Sequence, residues 1–165
     1  MNPKMKNQRL RTLFDEFGFT DVQTVISSGN VVFDARSRNI GSLEATIEKA
    51  LPTRLGFSST TIVRSRDQLQ SLVDQDPFGS LEDGPSSRLN VTFLKRPSKV
   101  RLTFPYRAED GSFELLGLYE GAVCSATDLS RLRTPDLMGW LEKTYGKEVT
   151  TRTWKTVGRI LRALG

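Results

Sequence analysis

The sequence predicts an α+β protein in which antiparallel sheets carry helices on one face. Residues 22–33 and 113–127 each consist of two β-branched or apolar runs joined at a glycine, a pattern typical of a β-hairpin. Each hairpin is followed by a helical pattern, a short strand pattern and a second helical pattern. The order of elements therefore occurs twice along the chain, although the residues themselves do not repeat.

The N-terminal half is predicted to open with a helix over residues 5–17, followed by the first hairpin. The hairpin is predicted to turn at Ser28-Gly29, because glycine tolerates the positive φ that a two-residue turn requires. This register would align four residues on the core side of the hairpin, with Ile26 opposite Val31 and Thr24 opposite Phe33.

A second helix is predicted from a cap at Ser42, with Pro52 either kinking its last turn or ending it. A short strand at residues 60–64 and a helix that opens at Ser65 complete this half. The next stretch, residues 79–87, is rich in serine, glycine and acidic residues, which is typical of a linker.

In the C-terminal half, residues 89–94 alternate as a strand, and residues 100–104 are predicted to form a brief edge strand. The second hairpin is predicted to turn at Glu120-Gly121. This turn would pair two sets of residues across the strands, Leu118 with Val123 and Gly117 with Cys124.

The chain ends in a predicted helix, strand and helix. Thr134 before Pro135 is a helix start signal, and residues 147–152 have a strand pattern. Thr153 is predicted to cap the last helix. The periodicity of that helix places three cations together on its outer face, namely Lys155, Arg159 and Arg162.

A strand, a crossing element, a hairpin, a helix and a strand make up the ferredoxin-like β-α-β-β-α-β arrangement, and two such units fit this length. We therefore predict an N-terminal unit at residues 1–78, a linker at 79–87 and a C-terminal unit at 88–165. No strand pattern precedes the first hairpin. The first unit is thus predicted to lack its first, central strand, which would leave an open sheet edge through which copies of the chain could associate.

The composition narrows the classes of function. The chain has no histidine, which excludes imidazole metal ligands and catalytic pairs that need an imidazole base. Its single cysteine, Cys124, lies in an apolar run and is predicted to be a small buried side chain rather than a reactive thiol. No run approaches the ~20 apolar residues of a membrane span. We expect a cytoplasmic protein, and its net charge of +5 favours acidic or phosphate-rich partners.

Four stretches, taken in order, resemble the bacterial domain-of-unknown-function family 1697 (DUF1697). They are residues 18–33, with the sequence GFTDVQTVISSGNVVF, and residues 76–78, 89–94 and 150–157. The resemblance implies a tandem pair of ferredoxin-like units in a bacterial cytoplasmic protein without an established activity. It implies no catalytic residues.

The chain departs from the family pattern in two places. Family members typically begin with an apolar strand and a loop containing arginine and glycine, and this chain starts at about the segment that follows that loop. A misplaced start, a truncated gene or a substitute segment would each account for the difference. Residues 95–110 also contain prolines where the family usually has a helix.

The predicted ligand site is the junction between the last strand and the last helix. Arg152 and Lys155 beside a helix N-terminus would hold a phosphate or carboxylate, and Trp154 would stack on a ring. The alternative is that Trp154 anchors the core and the cations are solvated. Ser28 and Asn30 at the first hairpin tip are further candidates, unless they only satisfy the turn.

No catalytic, metal-binding or cofactor-binding motif occurs in the sequence. We therefore predict a non-enzymatic ligand-binding or interaction module that prefers an anionic small molecule or nucleic acid and has no membrane partner. One alternative is the remnant of an enzyme whose site used the missing N-terminal loop. The other is a structural protein that oligomerises through its open sheet edge.

Overall fold

The computed structural model describes residues 6–26 and 29–165 and has an α+β fold with antiparallel sheets. By its contacts the chain divides into two compact units, Met1–Arg66 with Gly158–Gly165, and Asp67–Val157. The linker predicted at residues 79–87, between two separately folding units, stays a prediction. The elements are α1 (Asn7–Glu16), β1 (Thr20–Thr24), β2 (Val31–Asp34), α2 (Ile40–Leu55), α3 (Arg66–Asp74), β3 (Ser87–Leu94), β4 (Tyr106–Arg107), β5 (Phe113–Tyr119), β6 (Ala122–Asp128), α4 (Leu137–Tyr145), β7 (Val149–Thr153) and α5 (Trp154–Ala163).

The first unit is built on the apolar stripe of α1, which the sequence predicted. Phe14 lies at its centre and contacts three other aromatic rings, with centroid distances of 5.8 Å to Phe17, 6.0 Å to Phe19 and 5.3 Å to Phe33. These rings pack on a core shared by α1, β1 and α2. Its buried members are Leu10, Leu13, Phe14, Val22, Ile47, Leu51 and Leu55.

The predicted register of the first hairpin is wrong by two residues. Thr24 lies opposite Val31, and the amide of Val25 donates to the carbonyl of Asn30 at 3.0 Å, so the connection is longer than two residues. Ile26 has φ of 60° and a 40% exposed side chain, so it is not a core residue. The pairing between Val25 and Asn30 sets this longer connection and overrides the local preference for a Ser-Gly turn.

The predicted strand at residues 60–64 is also wrong, because this segment joins neither of the sheets formed by residues 6–26 and 29–165. Two carboxylates of α2 bind its backbone instead: Glu48 Oε1 accepts the amide of Thr61 and Glu44 Oε2 accepts that of Val63, both at 2.9 Å. Glu44 and Glu48 are one helical turn apart, so they lie on one side of α2 and match alternate amides of the segment. Side-chain acceptors thus replace a strand partner here.

Replacing Glu44 by alanine is expected to lower the free energy of unfolding by about 1–3 kcal/mol, because the partly buried Val63 amide loses the acceptor that the buried Glu44 side chain provides. Glu44→Gln keeps an acceptor oxygen and should lose less. Urea unfolding measures both variants. Glu142→Ala, at an exposed position of α4, is the control, and an equal loss in that variant would contradict the role of Glu44.

The second unit contains a five-stranded antiparallel sheet in the order β4-β5-β6-β3-β7. The predicted second hairpin is confirmed, since Leu118 pairs with Val123 and Gly117 with Cys124. Its turn residues, Glu120 and Gly121, have φ of 49° and 80°, as a tight two-residue turn requires.

Helix α4 covers one face of this sheet. Its Leu137 and Leu141 pack on Leu94, Leu115 and Val123. The helix begins later than the Thr134-Pro135 signal predicted, because the Oδ1 of Asp136 accepts the amide of Gly139 at 3.0 Å and caps it.

The predicted edge strand at residues 100–104 is absent, and the short strand β4 forms further along the chain. The apolar side chains of this stretch are used in packing instead, since Leu102, Phe104 and Tyr106 lie against the core under α4. No helix in the described part of the chain is long and apolar enough to cross a membrane.

Cys124 is fully buried at the centre of β6, as its apolar surroundings predicted. Burial raises the pKa of its thiol to about 12. We expect the native protein at neutral pH to react with a thiol reagent such as Ellman's reagent far more slowly than the urea-unfolded protein, because only the thiolate is nucleophilic. Labelling at the same rate in both states would contradict this burial.

Candidate functional site

The predicted site at the junction of β7 and α5 is built on an edge strand of the five-stranded sheet. Thr153 ends β7, and its Oγ1 accepts the amide of Thr156 at 3.2 Å, which confirms the predicted cap of α5. The hydroxyls of the same two threonines lie 3.0 Å apart. The cap turns the chain sharply from strand to helix and places Lys155 in the first turn of α5.

Arg152 is held by oxygen atoms of its own strand. Its Nη1 donates to Thr150 Oγ1 at 2.7 Å and to the carbonyl of Thr151 at 2.9 Å. Burial lowers the pKa of the guanidinium, but an arginine remains charged at neutral pH even so. The junction therefore keeps a fixed, partly buried positive charge just before α5.

The other two predicted residues of the junction have different surroundings. The indole of Trp154 packs against Phe78, with ring centroids 4.9 Å apart, so Trp154 is a packing residue of the second unit. The side chain of Lys155 is exposed. The junction thus offers an exposed ammonium group beside a partly buried guanidinium, while its aromatic ring is used in packing.

The outer face of α5 continues this positive charge. Lys155, Arg159 and Arg162 are exposed and follow one another at intervals of four and three residues, while Val157 on the opposite side is fully buried. None of the three cations pairs with a carboxylate of residues 6–26 or 29–165. We call these three residues the α5 cationic face.

Of the two hairpin candidates, Asn30 lies within the described residues. Ser28 lies outside the described residues. The side-chain amide of Asn30 donates to the carbonyl of Val25 at 3.1 Å, so this residue has the turn-stabilising role that was its alternative. Asn30 belongs to the first unit and Arg152 to the second.

The first unit also contains a polar cavity of about 650 Å³, which the sequence patterns did not predict. Its lining residues come from α1 and β1 and are Arg11, Asp15, Asp21, Val22, Gln23 and Thr24. The spacing of Arg11 and Asp15, one helical turn apart, was the only sequence signal for it. A hydrogen bond with Asp21 raises the pKa of the Asp34 carboxyl in the neighbouring strand β2.

Among the described residues, no group of three or more histidine, cysteine, aspartate or glutamate side chains is placed to hold a metal ion.

The fold is similar to that of a solved structure, the conserved bacterial protein SP0830 from Streptococcus pneumoniae. The TM-score is 0.67 and the identity 17%, and the match covers 100% of this chain and 94% of that chain. At this identity the likeness shows the fold alone. No curated protein matches the sequence.

A protein-family model described as "Protein of unknown function (DUF1697)" matches residues 1–119. The match includes the hairpin segment at residues 18–33, where the sequence resemblance is most extensive. It spans more than half of the 165 residues. The chain therefore belongs to the DUF1697 family of proteins of unknown function.

Proposed function

We propose that this protein is a cytoplasmic, non-enzymatic binding module that prefers anionic partners and contacts them through the α5 cationic face. The observation that carries the proposal is the row of three exposed, unpaired cations on one side of α5. From Lys155 to Arg162 the helix rises roughly 10 Å, a length that suits several phosphates in succession better than a single one.

Arg152 adds to the same field from the strand side of the junction. Its guanidinium is oriented by Thr150 and Thr151 before any ligand arrives, so little order is lost on binding. Trp154 contributes by holding the start of α5 against Phe78. Roles for Ser28 and Asn30 as ligand contacts stay predictions.

The tandem ferredoxin-like arrangement belongs to the same proposal. The order β5-β6-β3-β7 in the second unit supports it, because the first strand of such a unit lies between its third and fourth strands. In the first unit, only the β1-β2 hairpin represents the sheet among the described residues. On this assignment, α5 follows the last strand of the second unit as an additional helix.

The triple variant Lys155→Gln, Arg159→Gln and Arg162→Gln should weaken binding to single-stranded RNA and duplex DNA in filter-binding assays. Three phosphate contacts contribute about −2 to the slope of log binding constant against log salt concentration on single strands. The variant should lose this contribution. Binding of pyrophosphate, measured by calorimetry, tests whether the protein binds a small anionic molecule.

The matched control removes three exposed cations from the first unit, by the changes Arg36→Gln, Arg38→Gln and Lys49→Gln. Both triple variants change the net charge by the same amount. An equal loss in the two would assign binding to net charge rather than to α5. No binding to RNA, DNA or pyrophosphate at low salt would overturn the proposal.

A further inference from the structure

The cavity on the first unit lies along an unpaired edge of β1. This strand pairs with β2 on one side, and its sheet has only these two strands among residues 6–26 and 29–165. The amide of Val25 donates to Asn30 across the hairpin, so the alternation of an antiparallel pair directs the N–H and C=O of Thr24 away from β2. One backbone donor and one backbone acceptor therefore point away from β2 at Thr24, which is one of the residues that line the cavity.

Groups of opposite charge flank these backbone groups. Arg11 and Asp15 reach the cavity from α1, and Asp21 reaches it from β1. All three are exposed, and Arg11 forms no ion pair with a carboxylate of the described residues. The cavity thus presents a positive group and two acidic groups to a ligand.

A bulge in β1 brings Asp21 into this position. The register shifts between Thr20 and Gln23, and Asp21 has φ of 49°, a conformation that non-glycine residues rarely adopt. Residues in such strained backbone conformations cluster at active sites and ligand sites.

We propose that this cavity binds a dipeptide with free termini. Its carboxylate would pair with Arg11, its ammonium group with Asp15 and Asp21, and its peptide group with the outward N–H and C=O of Thr24. Charge complementarity selects this ligand, because it requires both signs of charge with an amide between them. The volume of about 650 Å³ is ample for a molecule of this size.

Three probes test the proposal by nuclear magnetic resonance titration of the full chain at millimolar concentration. They are glycylglycine, its N-acetyl derivative, which lacks the ammonium group, and glycylglycine amide, which lacks the carboxylate. Glycylglycine should bind about tenfold more tightly than either derivative, because each derivative loses one charge-assisted contact. The shifted amide signals should include that of Thr24.

Substitutions of the charged lining residues test each proposed contact with the dipeptide separately. In Arg11→Gln, glycylglycine and its amide should bind equally; in the double variant Asp15→Asn with Asp21→Asn, glycylglycine and its N-acetyl derivative should bind equally. The controls Arg36→Gln and Asp67→Asn, at exposed positions elsewhere, should retain the full preference. The triple variant of the α5 cationic face should also bind glycylglycine normally, which separates this site from the proposed anion surface.

Two outcomes would overturn the inference. In one, the three probes cause equal shifts or none, which would mean that the cavity does not select a zwitterion. In the other, the chain is a dimer by mass in solution and dilution alone shifts the Thr24 signal. In that case a second copy, and not a peptide, would occupy the edge of β1.

Discussion

Replacing Phe14 by alanine is expected to lower the free energy of unfolding by about 3–5 kcal/mol. The ring is only 5% exposed and touches Phe17, Phe19 and Phe33, so its removal leaves a cavity that its neighbours cannot fill without leaving their own contacts. Urea unfolding followed by far-ultraviolet circular dichroism measures the loss. Phe17→Ala, at a half-buried position, is the comparison and should lose less.

The same experiment reports on the division of the chain. Both tryptophans, Trp140 and Trp154, belong to the second unit, so tryptophan fluorescence follows that unit alone. If the predicted units fold independently, Phe14→Ala should move the circular dichroism transition and leave the fluorescence transition in place. A loss below about 1 kcal/mol by dichroism would contradict the central role of Phe14.

Replacing Leu141 by alanine is expected to lower the free energy of unfolding of the second unit by about 2–5 kcal/mol. Leu141 has no exposed surface and packs from α4 onto the sheet at Leu94, Leu115 and Val123. Tryptophan fluorescence should detect this loss directly, because Trp140 is the preceding residue and its ring contacts that of Tyr106, with a centroid distance of 5.0 Å.

Met138→Ala on the same helix is the matched control for Leu141→Ala. Met138 is 41% exposed, so the change removes a side chain of similar size that has little packing to lose. We expect its effect to stay below about 1 kcal/mol. Equal losses from the two substitutions would mean that α4 does not cover the sheet as described.

The two hairpins show what local sequence can decide. In the second, Glu120 and Gly121 both take positive φ, so the turn itself sets the pairing and the predicted register is correct. In the first, the bond between Val25 and Asn30 lengthens the connection and a bulge near Asp21 shifts the pairing again. Neither the hydrogen bond nor the bulge can be predicted from the residue types of the turn. The predicted register of the first hairpin was wrong for this reason.

The candidate sites divide in the same way. The cap at Thr153 follows from its residue type and the outward position of Lys155 follows from helix periodicity, and both were predicted. The cavity beside β1 was not, since it depends on α1 and β1 lying side by side. The packing of Trp154 was also not decided by local sequence, because its ring partner Phe78 is far away in the sequence.

The α+β class, the family, most of the helices, the second hairpin and the buried state of Cys124 were all predictable from local sequence patterns. Each of these follows from the periodicity of apolar residues, from turn chemistry or from an ordered set of family blocks. The partners of the segment at residues 60–64 and the polar cavity along β1 depend instead on how distant elements pack. Backbone N–H groups without a strand partner need an acceptor that the fold brings near them, and here Glu44 and Glu48 of α2 supply it.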